Sequence, residues 1–138
     1  MSFIGLMVVL IGSGLILRVE TNFFDPSGLI YVISGTIGML LLSGINISSL
    51  LRIAFASSPS PSELSTGARN WELLGIYALV SGAIVSLIKI VWILGTLEDP
   101  AAIGPNIANC LITQGYGFGL AFFVSLPLRK RLIAANNR

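Results

Sequence analysis

The chain has 138 residues, 54% apolar and only 10% charged, with a net charge of +2 and a mean hydropathy of +0.91. A soluble domain carries about 25% charged residues, so this composition excludes an ordinary water-soluble fold and indicates an all-α membrane protein. With no histidine and one cysteine, Cys110, the chain has no zinc-finger or haem-attachment motif and no internal disulfide.

In chain order, uncharged or nearly uncharged runs cover residues 2–17, 26–51, 73–97 (broken by Lys89) and 100–128. Each approaches or exceeds the roughly 20 residues that a helix needs to cross hydrocarbon. The expectation is one transmembrane domain over 1–138, with helices at about 2–17, 26–51, 71–97 and 100–128. A cleaved signal peptide is the rival for the first span. Against it, no basic residue precedes the run and no small-x-small site follows before Arg18.

The first link, "RVETNFFDPSG", contains Asp25 before Pro26, a pattern in which the carboxylate caps a helix whose first residue is proline. Asp99 and Pro100 repeat it. Between the second and third spans, residues 52–70 are rich in Ser, Pro and Gly and read as an irregular cytoplasmic linker.

Basic residues set the orientation. Arg52, Arg69, Arg129, Lys130, Arg131 and Arg138 fall on one side; Arg18 lies opposite with Glu20, Asp25, Glu98 and Asp99. The basic side is cytoplasmic by the positive-inside rule, which puts both termini inside. The net charge therefore reflects topology and not a nucleic-acid surface.

Small residues recur along single helix faces: Gly5 and Gly12 seven residues apart, and Ser34 with Gly38 and Gly115 with Gly119 four apart. In lipid such spacing lets helix backbones approach, within a subunit or between subunits. Ser86, Lys89 and Thr96 share a face of the third span, and Asn106, Cys110, Thr113 and Gly117 form a stripe on the fourth, flanked by Asn109 and Gln114. An unpartnered amide or hydroxyl in hydrocarbon costs roughly 2–7 kcal/mol, so these faces should meet protein, water or an ion path. Lys89 has two readings: its ammonium snorkels to the outer interface, or it meets a carboxylate of another polypeptide in an interior cavity.

The run "DPAAIGPNIANCLITQGYGFGLAFFVSLPLRKRL" resembles the last two-helix segment of MotA-type stator subunits, and "FFDPSGLIYVISGTIGMLLLSG" resembles their second helix. The resemblance implies the architecture of the MotA/TolQ/ExbB family: a multi-pass homo-pentamer in the bacterial inner membrane. The ring surrounds two copies of a MotB/ExbD-like single-span partner whose membrane Asp carries a proton or sodium ion. Carried over by position, the third and fourth spans line the pore, with Ser86 at the family's hydroxyl position and Thr113 at the first position of its Thr pair. Asp99 and Pro100 end one helix at the outer mouth, and Gly104 and Pro105 start the next.

The chain departs from the family pattern at Gln114, in place of the second Thr, at Lys89, in place of a small residue, and in the short linker, in place of a large cytoplasmic domain. The expected function is an ion-driven motor or energy-transducing subunit in the bilayer, with no cofactor beyond the transported ion, no metal site and no enzymatic activity. The alternative is a non-conducting structural scaffold derived from the same fold.

Overall fold

In a computed structural model, residues 25–56, 59–95 and 100–137 are described, and all their regular structure is helical. The expected first span at 2–17, with Gly5 and Gly12, lies outside the described residues, as do Thr96 and Asp99.

Helix α1, Pro26–Leu42, begins as its sequence requires: Pro26 occupies the first turn and the Asp25 carboxylate accepts from the Gly28 amide at 3.1 Å. Its end corrects the expected continuous span to residue 51. Gly44 adopts φ +72, and the Gly44 and Ile45 amides return to the Leu41 and Leu40 carbonyls, each at 3.0 Å. This is a Schellman closure, with Ile45 packed into the same apolar cluster as Leu40. The chain then bends by 97° into α2, Ile47–Phe55. α2 is amphipathic: Leu50, Ile53 and Ala54 are buried, while Leu51, Arg52 and Phe55 are exposed.

Helix α3, Pro61–Leu94, takes up most of the stretch expected to be an irregular linker. Ser60 and Glu63 form a reciprocal capping box, with the Ser60 amide donating to Glu63 Oε2 at 2.9 Å and Pro61 at the first position. The Ser/Pro content here marks a helix start.

Helix α4, Pro100–Gly119, contains Gly104 and Pro105 in its interior. The expected break before Gly104 is therefore absent. α4 continues through a π-helical turn, Leu120–Ser125, into α5, Leu126–Asn136. Pro127 cannot donate to the Phe123 carbonyl, which favours a wider turn just before it. The Ser125 hydroxyl in that turn donates to the Trp71 carbonyl of α3.

Among the described residues two stretches, α3 and Ala101–Asn136, are long and apolar enough to cross a membrane, or three if α1 and α2 form one broken span. Large apolar side chains such as Leu42, Leu87, Ile88 and Leu111 point outward, at 90%, 61%, 63% and 69% exposure, as lipid-facing residues do.

The interior divides in two. At one end Leu40, Leu50, Ile53, Leu64, Trp71 and Leu132 form an apolar cluster. Further along, helices meet through small residues. A Cβ on Gly117 would lie 2.7 Å from the Ala78 carbonyl oxygen, and one on Gly82 would lie 3.3 Å from Gly117 Cα. Gly115, Gly119 and Gly38 have open space at that position. Gly117 thus makes the close approach between α3 and α4, and among the described residues nothing packs at the Cβ positions of Gly115 and Gly119.

Candidate functional site

The most concentrated polar chemistry lies where the start of α1 meets the last turns of α3 and the middle of α4. Lys89 donates to Asp25 Oδ2 and, at 2.8 Å, to the Thr113 hydroxyl. The lysine and aspartate side chains are 23% and 11% exposed, and Thr113 is fully buried. Lys89 does not wait for a carboxylate from another chain. Its partner is Asp25 of its own chain, 64 residues earlier.

Local structure explains the meeting. Asp25 is fixed as the cap of α1: Oδ1 accepts from the Gly28 amide and, at 2.5 Å, from the Ser27 hydroxyl, leaving Oδ2 for Lys89. The Asp25 amide donates to the Tyr116 hydroxyl of α4 at 3.0 Å. Gly28 allows the approach, because a Cβ there would lie 2.5 Å from both Asp25 Oδ2 and the Thr113 hydroxyl. The Thr113 hydroxyl donates to the Asn109 carbonyl at 2.9 Å and accepts from Lys89; the Asp25 carboxylate lies further from it, at 3.4 Å.

Asp25 stands just ahead of the spanning helix. Burial opposes its ionisation, but hydrogen bonds from Lys89, Ser27 and the Gly28 amide, with the lysine charge, outweigh burial and hold its carboxyl below the usual carboxylate range. The Asp25 carboxylate thus stands as the counter-charge to Lys89 within one subunit. Lys89 Nζ, donating to Asp25 and Thr113, stands at the edge of a cleft of about 200 Å³ lined by Asp25, Ser27, Lys89, Trp92, Asn106 and Asn109.

The other expected site residues separate into groups. Ser86 is buried and donates to the Cys110 carbonyl at 2.9 Å, inside the α3–α4 seam. Asn106 and Asn109 border the polar cleft, whereas Gln114 is half-buried and outside it. Gly104 and Pro105 are exposed on α4, the Pro100 side chain is not described, and Asp99 lies outside the described residues. Among the described residues no group of three His, Cys, Asp or Glu side chains could hold a metal ion.

The sequence marks Asp25 as a cap and a loop charge, and no local pattern singles out Gly28 or Tyr116. The signal was present in the expected topology: Asp25 opens one span and Lys89 nears the end of the next, so the two charges share a depth.

No protein-family model matches the chain. It is 33% identical over 99 residues to motility protein A of Aquifex aeolicus (strain VF5), covering 71% of this chain and 39% of that protein. It is also 39% identical over 66 residues to the uncharacterized protein YtxD of Bacillus subtilis (strain 168), covering 48% of this chain and 24% of that one. The chain thus spans well under half the length of these curated relatives, and its relation to motility protein A is one of distant homology.

Proposed function

We propose that this chain is a MotA-like, non-enzymatic subunit of a proton- or sodium-driven motor or energy-transducing complex in the bacterial inner membrane. In this reading it has four membrane spans with both termini cytoplasmic. It forms a homo-pentamer around two copies of a MotB/ExbD-like single-span partner with a membrane Asp. The short link between α2 and α3 stands where motors of this kind carry a rotor-engaging domain, so the output passes through the partner.

The homology to motility protein A over 71% of the chain carries the proposal. The electrostatics of the polar cluster are compatible with it. A fixed ammonium beside a cation path would raise the barrier to entry, and Asp25 cancels that charge from within the same subunit.

A second reading, a non-conducting scaffold, is favoured by one observation. The Thr113 hydroxyl, which would otherwise be free to contact a passing ion, is engaged by both Lys89 and the Asn109 carbonyl. Flux of protons and of sodium into vesicles containing the chain and its single-span partner separates the two. Partner-dependent flux by the unaltered chain is expected for the motor subunit. No flux from the unaltered chain, but flux once Lys89→Gly removes the ammonium, would establish the scaffold reading.

A further inference from the structure

The inner end of the molecule carries a second charged cleft that the motor reading does not use. It has a volume of about 420 Å³ between α3 and α5; Ser65, Arg69, Glu72, Arg129 and Asn136 line it together with apolar Ala68 and Ile133. Arg129 is partly compensated by Glu72, 3.2 Å away. Arg69 is exposed and has no hydrogen-bond or ion-pair partner among the described residues. The cleft therefore holds a net positive charge beside an apolar wall.

Its depth follows from the helix that builds it. No charged residue lies between Glu72 and Lys89 of α3, a separation of about 25 Å at 1.5 Å per residue. That is close to the roughly 30 Å of bilayer hydrocarbon. With Lys89 and Asp25 at the outer boundary, Arg69, Glu72 and Arg129 stand at the inner one, at the level of lipid headgroups. α2 turns by 97° at this same end and exposes Leu51 and Phe55, at 47% and 72%, where an in-plane helix would bury them in the acyl boundary.

We propose that the α3–α5 cleft binds the phosphate of an anionic phospholipid. The Arg69 and Arg129 guanidinium groups provide planar donors for the phosphate oxygens, and Ser65 and Asn136 contact the headgroup. Ala68 and Ile133 face the start of the acyl chains. Guanidinium geometry suits phosphate better than a point charge does, and basic pockets at the cytoplasmic boundary favour anionic lipids.

The test is titration of the detergent-purified full chain with dioleoylphosphatidylglycerol, dioleoylphosphatidylcholine, glycerol 1-phosphate and inorganic phosphate, reading bound ligand by native mass spectrometry. Phosphatidylglycerol should bind in preference to the other three. Arg69→Gln should weaken it about fivefold, and Ser65→Leu, which fills the cleft without changing charge, should also weaken it. Lys130→Gln, an equal loss of charge outside the cleft lining, should change it less than about twofold. Equal binding of the two phospholipids, or equal losses for Arg69→Gln and Lys130→Gln, would overturn the proposal. Soluble phosphates matching phosphatidylglycerol would replace a lipid site by a phosphate site. Arg69 is exposed and lies outside the buried core among the described residues, so its variant tests binding without threatening the fold.

Discussion

Gly28 and Thr113 approach so closely that a methyl group on Gly28 would lie 2.5 Å from the Thr113 hydroxyl oxygen and equally near Asp25 Oδ2. The α1 start can reach α4 only because that position has no side chain. Gly28→Ala should therefore push Asp25 away from Lys89 and destabilise the subunit by about 1–3 kcal/mol, the usual cost of overpacking. Thermal unfolding in detergent measures it, and an unchanged midpoint would mean that the helix shifts at no cost.

The Lys89–Asp25 pair predicts strong non-additivity. Removing one partner of a buried pair leaves a bare charge and costs about 3–5 kcal/mol; partial exposure here should reduce that to about 1–3 kcal/mol. Asp25→Asn retains a capping side chain, so it isolates the charge. Lys89→Met alone should destabilise, and Lys89→Met with Asp25→Asn should recover at least about 1 kcal/mol. Additive losses in this cycle would show the pair to be energetically idle.

The same pair fixes a sign for acid sensitivity. The Asp25 carboxyl is held below its ordinary value in the folded chain. Its contribution is therefore complete above the unfolded value near about 4 and is lost as pH falls below it. Between pH 5 and 3 the unaltered chain should lose stability more steeply than Asp25→Asn does. Parallel losses would refute the assignment.

What the sequence made legible follows the strength of each local signal. The cap at Asp25 and Pro26 was readable because two residue types with fixed geometric preferences stand in the required order. The bend at Gly44 was not recognised, because hydropathy is unbroken from residue 26 to 51 and the one cue was a glycine followed by an apolar Ile45. Ser60 and Glu63 were read by composition as a linker, although their spacing is that of a capping box. The polar stripes were found by periodicity. Periodicity cannot say which stripe faces which, and so Asp25, which lies before its helix, was missed as the partner of Lys89.

Gly44 should resist substitution for backbone reasons alone. At φ +72 with nothing within 4 Å of a built Cβ, the site has room for a side chain but strains one. Gly44→Ala should cost about 1–2 kcal/mol, and Gly44→Asn less, since Asn tolerates the left-handed region. Equal losses for the two variants would argue against this origin.

Gly117 and Gly115 should behave oppositely within a subunit. Gly117→Ala places a methyl group 2.7 Å from a backbone carbonyl of α3 and should destabilise by about 1–3 kcal/mol. Gly115→Ala meets nothing within 4 Å and removes a helix penalty of about 1 kcal/mol. Its subunit should be as stable as before or more so. If Gly115→Ala nevertheless dissociates an oligomer, measured by mass in mild detergent, the glycine face is a contact between copies.

The polar residues of α4 make the last distinction. Thr113 is fully buried and held by Lys89, while Gln114 is only half-buried. In a Cys110→Ala background, Gln114→Cys should react with a small water-soluble thiol reagent faster than Thr113→Cys if the subunit keeps this packing in the membrane. Adding the single-span partner separates the functional readings. Protection of Gln114→Cys by the partner is expected if the α4 face lines a shared pore that the partner's helix occupies. Two thiols that stay unreactive with and without partner would place both positions in closed packing and favour the scaffold. Fast labelling of Thr113→Cys in the presence of Lys89, with slow labelling once Asp25→Asn is added, would contradict the arrangement itself, since the intact pair is what shields that position.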